Sequence, residues 1–556
     1  MRFYSVRRCA VSIFSSLALV AACKGAEGTA GGGTVIVGSA QDPKTLYPPT
    51  ADSYQAREIT ELLFQKLADR GPSLNTVGDS GYIPRLAQRW DWSPDSLRIT
   101  FHLDPQARWQ DGRAVSAEDV RFAFDVTTDK RTGSRIGAEL RAALDSISIA
   151  DSSTAIAWFH QRSPEQFDEL TMSLTPLPAH LLRDKWTDSL AVSAFSRAPV
   201  GNGAFKLVKW EPGVSLEIAP SASYPGTRAV LDRVIWTFAP DAQTLSKQLM
   251  AGESDFVESL PPDDANAVAK QPKLRLVRLG SYAYNYLQFN LHDGATDAPH
   301  PLFGNRELRR ALTMALDRQL LVRSVFDTLG RVGLGPFVRA QWAADTNLRQ
   351  IAFDRAGAAR VLDSLGWRAG ADGMRARNGR PLAFALIVPT SSTPRVNYAV
   401  LIQEQLRLVG VKVDVQKLDF MAMQDRLKKH AFDAAMSGVG ATPSPSGVNQ
   451  TWTSTAAAEG GFNYGRYASR TFDADIDSAM TARVRGRAMA LYKAAYQTIV
   501  DDAPAIWLYE PPIFAGASAR LQIGPVRPDA WWTSLAAWSI APGGRLPRDA
   551  APTKAP

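Results

Sequence analysis

The sequence predicts an α/β protein that divides into two or three domains. Its 556 residues are more than a single hydrophobic core accommodates. A hydrophobic fraction of 45% and the presence of 14 tryptophans exclude a disordered chain. Residues 382–440 alternate strand segments with helical segments, and strands joined by helices of this length run parallel in one open sheet. Together these observations predict the fold class.

Short strands and helices alternate in the first half of the chain. Apolar runs and alternating apolar residues predict strands at 34–40, 97–103, 154–160, 204–210, 214–220 and 233–240. Apolar residues at helical spacing predict helices at 52–67, 117–127 and 241–251. Ser116 is placed to cap the second of these helices, and Gly252 follows the end of the third.

The second half of the chain shows a clearer alternation. A helix is predicted to begin at Asn305, and a helix over residues 354–365 is expected to end at Gly366. The segments that follow are predicted as strand 382–389, helix 395–410, strand 411–418, helix 420–431 and strand 432–440. This order predicts a β-α-β-α-β series with parallel strands.

The first 23 residues have the pattern of an export signal. Residues 1–8 are basic, residues 9–22 are apolar but too few to span a membrane, and Cys23 follows directly. The residues LVAAC resemble the lipobox of bacterial lipoproteins, so we predict a signal peptide at 1–22 and a lipid anchor on Cys23. A plain signal peptide is the alternative. Residues 23–33, rich in glycine and alanine, are predicted to form a flexible tether.

Cysteine content and hydropathy determine the expected location. Cys9 lies inside the signal, so Cys23 would be the only cysteine of the mature chain, which excludes disulfide bonds and cysteine-ligated metals. No other uninterrupted run of 18 apolar residues occurs, so the lipid is the expected contact with the membrane. We therefore expect an exported protein, periplasmic or at the cell surface, that is anchored to a membrane by lipid.

Charge and motif content disfavour nucleic-acid binding and catalysis. The formal charge of +8 is not concentrated in a run of lysine and arginine with interleaved aromatic residues. The six histidines form no pair at helical spacing, and HExxH, GxSxG and GxxxxGK[ST] motifs are absent. We therefore predict no enzyme, no cofactor, no metal site and no nucleic-acid partner. A secreted, lipid-anchored hydrolase with an unrecognised site is the alternative.

A stretch of 25 residues, 434–458, carries no charge in a chain that is 21% charged. It begins in the predicted strand 432–440 and continues past the carboxyl end of that strand. The segment 389–395 leaves the carboxyl end of another strand of the same series. Open α/β sheets bind ligands at the carboxyl ends of their strands, so the two loops are predicted to face one ligand cleft. A linker between domains is the alternative.

Several segments, in order along the chain, resemble the extracellular solute-binding proteins, family 5, of ABC importers. GSAQDPKTLYP resembles the first strand and turn of that family, and IPRLAQRWDWSPDSLRITFHLDPQARWQDGRAVSAEDVRFAF resembles the block that follows. PVGNGAFKLVKWEPG, PLFGNRELRRALTMALDRQLLV, FDRAGAARVLDSLGW and YKAAYQTIVDDAPAIWLYEP are similar to later blocks. One block alone would be weak, but these blocks match in register over almost everything after the tether.

The resemblance implies a two-lobed clamshell of the periplasmic-binding-protein type, with an extra subdomain inserted in the first lobe. The first lobe would comprise residues 34–56, 196–281 and 501–556, the inserted subdomain residues 57–195, and the second lobe residues 282–500. Ligand binding would close the lobes, and the closed form would dock on the transmembrane permease subunits of an ABC importer. The implied function is the capture of an oligopeptide or similar polar solute by a monomeric binding protein.

The resemblance also implies candidate ligand contacts. In peptide-binding members an aspartate in the loop matching residues 440–447 holds the α-ammonium of the peptide, whereas this loop reads GATPSPSG and has no acid. Some dipeptide binders place an arginine for the carboxylate near Pro389, and here Arg395 stands a turn later. Nearby hydroxyls, amides and aromatic rings suit a longer peptide held by its backbone, or a neutral solute such as an oligosaccharide. The predicted ligand contacts are Ser39, Gln41, Tyr282, Tyr284, Thr390, Arg395, Gly440, Ala441, Thr442, Trp452, Tyr464 and Trp507.

Overall fold

Two large β-sheets organise the chain. The computed structural model describes residues 31–294, 296–458 and 460–550. The predicted signal peptide at 1–22, Cys23 and most of the predicted tether therefore lie outside the described residues.

The first sheet has seven strands and contains both parallel and antiparallel pairs. Its central strand, Thr34–Ser39, pairs in parallel with Arg233–Phe238 on one side and with Phe256–Val257 on the other. Five of the six residues of this strand are buried, as expected where both faces of a parallel strand are covered. In order across the sheet the strands are Leu274–Leu279, Ile513–Ser518, Phe256–Val257, Thr34–Ser39, Arg233–Phe238, Ser215–Pro220 and Phe205–Glu211.

The second sheet has six strands and contains the predicted parallel series. Ala383–Pro389 pairs in parallel with Lys412–Leu418 and with Ala434–Gly440, which confirms the arrangement predicted from the sequence. Ala283–Phe289 runs antiparallel to Ala434–Gly440. In order across the sheet the strands are Arg331–Val332, Ala505–Glu510, Ala283–Phe289, Ala434–Gly440, Ala383–Pro389 and Lys412–Leu418.

The inserted subdomain contains an antiparallel sheet of four strands. Alternate residues of Arg98–Leu103 are buried, so one face of the strand turns toward the core. This face belongs to a hydrophobic core that is continuous with the core of the first sheet. The four strands are, in order, Ala87–Trp92, Arg98–Leu103, Thr154–Phe159 and Leu144–Asp151. Shorter strands pair elsewhere: Ala68–Asp69 with Ile83–Pro84, Leu521–Gln522 with Ser539–Ile540, and Arg375–Arg377 with Arg368–Ala369 and Arg380–Pro381.

The helices begin and end close to the predicted positions, because local capping residues specify their ends. A capping box opens Ala117–Thr128. The side chain of Asn305 caps Arg306–Met314 by accepting from the backbone N–H of Leu308. Gly252 ends Ala242–Ala251 in the left-handed conformation, with φ of 79°. The α-helices are Tyr54–Leu63, Ala117–Thr128, Arg135–Ala143, Gln166–Ser173, Ala179–Leu182, Ser189–Arg197, Ala242–Ala251, Pro262–Ala269, Arg306–Met314, Arg318–Phe326, Arg355–Ser364, Thr393–Arg407, Phe420–Lys428, Val448–Trp452, Arg470–Thr481 and Arg485–Asp502.

Two predicted boundaries differ from the structure. The sequence assigns residues 501–556 to the first lobe, yet Ala505–Glu510 pairs with Ala283–Phe289 in the second sheet. The apolar residues of this strand fill the core of the second sheet, so the chain returns to the first sheet only after residue 510. Backbone hydrogen bonds join Gly31 to Ile540, so residues 31–33 are part of the folded body rather than of the tether. The remaining domain boundaries stay predictions.

A buried ion-pair network joins the two ends of the first lobe. The guanidinium of Arg520 donates to the carboxylate of Asp255 at 2.7 and 2.8 Å and to that of Asp549 at 2.7 Å. Asp549 also accepts from the backbone N–H of Thr34 at 2.9 Å, and Asp255 accepts from the backbone N–H of Ile36 at 3.0 Å. The network therefore fixes the central strand of the first sheet to the C-terminal segment.

Candidate functional site

The candidate ligand site lies beyond the carboxyl edges of the two sheets. Leu274–Leu279 ends at the same edge of the first sheet as the parallel strand Phe256–Val257. The chain then crosses at residues 280–282 to the second sheet, where Ala283 pairs with Gly440 at the carboxyl end of a parallel strand. The crossing segment thus links the two carboxyl edges directly. Open α/β sheets bind ligands beyond these edges, which places the candidate cleft at the crossing.

Arg395 is a cation at the carboxyl edge of the second sheet. Its Nε donates to Asn285 Oδ1 at 2.9 Å, and its charge acts to lower the pKa of the nearby Tyr509 hydroxyl, which burial raises. Gly438 leaves room for the side chain, because a Cβ at this position would collide with Arg395 Nη2 and Asn285 Oδ1. Asn285 and Tyr509 are both neutral, and no acid forms an ion pair with Arg395 among the residues that the structure describes. The guanidinium therefore keeps donors for a further partner.

Four aromatic rings fill the core behind this edge. Trp452 lies with its ring centroid 5.1 Å from that of Tyr286 and 5.0 Å from that of Trp507, and its indole N–H donates to the hydroxyl of Tyr284 at 3.0 Å. All four side chains are only 1–3% exposed. The sequence predicts Tyr284, Trp452 and Trp507 as ligand contacts, but burial to this extent leaves no ring free. In the structure these three side chains pack against one another in the core next to the candidate site.

The uncharged loop 440–452 is fixed to the second lobe by hydrogen bonds. Gln341 Nε2 donates to the backbone oxygens of Thr442 and Ser444 at 2.9 and 3.0 Å. The side chain of Thr442 is exposed at the sheet edge. A slack linker would not need a buried glutamine to hold its backbone, so these contacts favour the loop as a wall of the cleft.

The other predicted contacts lie on both lobes. The backbone oxygen of Tyr282 accepts from the N–H of Ala441, so these two residues lie side by side. Ser39 is buried at the end of its strand in the first sheet, and Gln41 beyond it is exposed. Tyr464 is half-buried against a small separate apolar cluster. The predicted residues that share the carboxyl edge of the second sheet are Tyr282, Thr390, Arg395, Gly440, Ala441 and Thr442. As ligand contacts these residues stay predictions.

Two residues that position Arg395 escaped the sequence analysis. Asn285 is 5% exposed and stands in the buried strand AYNYLQF, between two tyrosines. A lone amide inside a buried aromatic strand requires a polar partner, and this requirement is a signal that the sequence does contain. Tyr509 lies in the neighbouring strand, and only the pairing of the two strands brings its hydroxyl to the same guanidinium.

Two acids lie near the carboxyl edge of the first sheet: Glu58 is buried, and Glu258 is half-buried. Glu258 directly follows a strand and accepts from Trp531 Nε1 at 2.9 Å. Glu58 accepts from Trp236 Nε1 at 2.8 Å. Burial raises the pKa of Glu58 well above its usual range, and the charge of Glu258 raises it further. Burial raises the pKa of Glu258 as well. Burial therefore favours the protonated form of both carboxyl groups.

Replacing Glu58 with glutamine is expected to raise the free energy of unfolding at pH 7 by about 1 kcal/mol. Glutamine keeps an oxygen for the Trp236 indole and is neutral at pH 7 without having to bind a proton. A carboxyl whose folded pKa lies above its unfolded value, near 4.5, stabilises the fold below that value and loses this contribution as the pH rises through the folded pKa. Urea unfolding between pH 4.5 and about 8 should therefore lose less stability with rising pH in Glu58→Gln than in the wild type.

Glu61 provides a matched control on the same helix. Its carboxylate accepts from Lys66 Nζ at 2.7 Å, and its pKa is lowered because the charges of Lys66 and Arg57 outweigh the effect of burial. Glu61→Gln should therefore destabilise the protein at pH 7, opposite in sign to Glu58→Gln. Destabilisation by both variants would contradict the assignment of a protonated pair.

The described residues contain neither a cluster of metal ligands nor a membrane-spanning helix. Within 31–294, 296–458 and 460–550, no group of three or more His, Cys, Asp and Glu side chains is arranged to hold a metal ion. None of the helices in these ranges combines the length and the apolar character required to cross a bilayer.

The sequence matches a known family over much of its length. The profile of the bacterial extracellular solute-binding proteins, family 5 Middle, matches residues 81–460, which is more than half of the chain. The chain belongs to this family. The resemblance noted in the sequence is thereby confirmed.

Relatives and solved structures of family 5 solute-binding proteins cover nearly the whole chain. The oligopeptide-binding protein AppA of Bacillus subtilis (strain 168) is 25% identical over 486 residues, 86% of this chain and 86% of the relative. The structure of HbpA2 from Haemophilus parasuis covers 91% of this chain and 100% of that chain, with a TM-score of 0.78 and 21% identity. NikZ from Campylobacter jejuni, in complex with Ni(L-His), covers 91% and 99%, with a TM-score of 0.66 and 22% identity. These structures confirm the predicted two-lobed α/β fold.

Membership of solute-binding family 5 gives the chain its general role. Proteins of this family are extracellular or periplasmic, bind peptides or small molecules and work with ABC permeases. They are substrate-binding proteins rather than enzymes. This chain is therefore a substrate-binding component of an ABC importer.

Proposed function

We propose that this family 5 protein captures an oligopeptide, or a similar polar solute with an anionic group, between its lobes and delivers it to a membrane permease. Arg395 carries the proposal: it stands at the carboxyl edge of the second sheet with neutral partners only. A planar guanidinium held in this way is suited to a ligand carboxylate, since the pair forms two charge-assisted hydrogen bonds. The relative AppA, an oligopeptide-binding protein, supports peptides as the class.

The proposed site combines residues of both lobes. Asn285 and Tyr509 would orient Arg395 toward the ligand carboxylate. The rest of the ligand would lie along the uncharged loop and against the end of the first strand. The proposed ligand contacts besides Arg395 are Ser39, Gln41, Tyr282, Thr390, Gly440, Ala441, Thr442 and Tyr464.

We further propose how the protein reaches its permease. The signal at 1–22 would direct export, and the lipid on Cys23 would hold a monomer at the membrane, in the periplasm or at the cell surface. Residues beyond Cys23 would act as a tether that raises the local concentration of the loaded protein near the transmembrane subunits of the importer.

The uncharged loop favours a second candidate, a neutral solute such as an oligosaccharide. Thr442 and Gln450 are exposed on this loop, and Asn449 is half-buried. Hydroxyl and amide groups hydrogen-bond to sugar hydroxyls at little desolvation cost compared with charged groups. Such a ligand would not depend on Arg395.

Replacing Arg395 with glutamine is expected to weaken the binding of free-acid peptides by about 10- to 100-fold, the value of a charge-assisted hydrogen bond. A thermal-shift screen over di- to nonapeptides, oligosaccharides and metal chelates would first select the probe, and calorimetric titration would then compare the variants. C-terminal amides of the same peptides should bind the wild type and Arg395→Gln about equally, because they present no carboxylate to the guanidinium.

Arg407 on the same helix is a matched control. It is exposed and pairs with Glu404 at 3.2 Å, so Arg407→Gln should leave peptide affinity unchanged. Equal binding of free-acid peptides by Arg395→Gln and the wild type would contradict the anionic-ligand proposal. Thermal shifts with oligosaccharides alone would favour the neutral candidate instead.

A further inference from the structure

The inserted subdomain makes direct polar contacts with the second lobe through one half-buried acid, Glu165. Ser444 Oγ, in the uncharged loop, lies 2.7 Å from Glu165 Oε1 and 2.9 Å from Glu165 Oε2. The hydroxyl of Thr76, also in the inserted subdomain, donates to the same carboxylate. The loop that contains no acid of its own therefore receives a carboxylate from another part of the chain.

Further contacts surround this carboxylate. Trp342 Nε1, in the second lobe, donates to Thr76 Oγ1 at 2.9 Å. Val77 is 6% exposed and packs in the hydrophobic core of the second lobe rather than in that of its own subdomain. The segment that includes Thr76 and Val77 is thus held by the second lobe through both a hydrogen bond and apolar contact.

The hydroxyl groups of Thr76 and Ser444 stabilise the charged form of the Glu165 carboxylate. Burial raises the pKa of Glu165, while the hydrogen bonds from Thr76 and Ser444 oppose that shift. If the second lobe moved away, the carboxylate would lose Ser444 and be solvated by water. The bond to Ser444 exists only while subdomain and loop are in contact, so it contributes to closure alone.

We propose that Glu165 and Ser444 form a latch by which the inserted subdomain holds the second lobe closed over the cleft. The latch acts through the Ser444 side chain on loop 440–452, and Gln341 holds the backbone of the same loop. The inference rests on the proposed clamshell function, because it assigns the uncharged loop to the wall of the ligand cleft. The latch gives this loop a second role besides lining the cleft, which is to hold the two lobes together.

A double-mutant cycle tests the latch. Glu165→Gln, Ser444→Ala and the double variant are compared with the wild type, without ligand, by hydrogen–deuterium exchange with mass spectrometry. Each single variant should raise exchange roughly threefold or more in residues 440–452 and in residues 74–78, on both sides of the contact. Both substitutions act on the same bond, since glutamine replaces its charged acceptor with a neutral amide and alanine removes its donor, so the double variant should exchange no faster than the faster single variant.

A serine in the same region serves as the matched control. Ser454 Oγ donates to Asp473 at 2.6 Å, entirely within the second lobe. Ser454→Ala should leave exchange in residues 74–78 unchanged. Unchanged exchange of residues 74–78 in Glu165→Gln, or fully additive effects in the double variant, would overturn the latch.

The outcome is separable from that of the proposed function. Glu165→Gln and Ser444→Ala should increase the radius of gyration in X-ray scattering of the ligand-free protein and lower peptide affinity less than Arg395→Gln does. If Arg395→Gln abolishes peptide binding while both latch variants scatter like the wild type, the latch is wrong and the proposed function stands. If the latch variants open the protein but no peptide binds, the latch stands and the proposed ligand class is wrong.

Discussion

Arg520→Ala is expected to lower the free energy of unfolding by about 3–5 kcal/mol, because it leaves the buried carboxylate of Asp549 without a counter-charge and that of Asp255 with Arg548 alone. The side chains of Asp255 and Asp549 are 2% and 1% exposed, and that of Arg520 is 7% exposed. Arg520 also donates to the backbone oxygen of Thr34 at 2.6 Å. The loss should therefore extend to the central strand of the first sheet and to the C-terminal segment that the network joins.

Urea unfolding monitored by tryptophan fluorescence would measure this effect. Arg520→Lys, which keeps the charge but not the planar fork, should lose less. Arg545→Ala is the control: Arg545 is exposed and makes one hydrogen bond, to the backbone oxygen of Gly32 at 2.9 Å, so about 0.5 kcal/mol or less is expected. A loss below about 1 kcal/mol in Arg520→Ala would contradict the role given to the network.

The pH dependence of the same variant provides an independent readout. Burial acts to raise the pKa of Asp549, but hydrogen bonds from the backbone N–H groups of Leu546 and Thr34, with the charge of Arg520, hold it below its usual value. A lowered folded pKa gives stability that is present above the unfolded pKa and is lost as the pH falls through the folded pKa. Arg520→Ala should therefore lose less stability on acidification below about pH 4 than the wild type.

Trp452→Ala is expected to cost about 3–5 kcal/mol of stability, the range for removing a large aromatic side chain from a core. The indole is 1% exposed, packs against Tyr286 and Trp507, and donates to the hydroxyl of Tyr284 at 3.0 Å. Alanine would leave a cavity behind the site and a tyrosine hydroxyl without its donor. Trp452→Phe keeps most of the ring volume and should cost about 1–2 kcal/mol.

Phe462, an aromatic residue nearby in sequence, is the control for Trp452. It is 48% exposed, so Phe462→Ala should change stability by no more than about 0.5 kcal/mol. Thermal and urea unfolding would be combined with titration of the peptide selected by the screen. If Trp452→Ala retained full stability and lost only ligand affinity, Trp452 would be a ligand contact, as the sequence predicts, and not a core residue.

The parallel strand series shows what local sequence signals can predict. Alternating valines in Lys412–Leu418, the helix start at Asn305 and the glycine stop at Gly252 depend on neighbours within a few residues, and the structure confirms all three. The domain boundary at residue 501 was harder to predict, because the strand Ala505–Glu510 is apolar enough to pack in the core of either sheet. Pairing with Ala283–Phe289, more than two hundred residues earlier, assigns that strand to the second sheet.

At the candidate site, too, local sequence patterns do not reveal the long-range contacts of the aromatic residues and the acids. A buried tyrosine or tryptophan gives the same sequence pattern whether its ring contacts a ligand or another ring. The sequence therefore does not distinguish a core residue such as Trp452 from a ligand contact. The sequence shows directly that residues 434–458 contain no acid. Glu165, which reaches this loop from 279 positions away, leaves no local trace in the sequence.

The sequence by itself determined the α/β class, the family and the parallel series, because periodicity, capping residues and motif blocks are encoded by neighbours along the chain. Only the tertiary structure decided which rings are core, that Arg395 has neutral partners at the sheet edge, and that Glu165 contacts Ser444. These features depend on contacts between residues far apart in sequence, which form only when both sheets and the inserted subdomain are packed together.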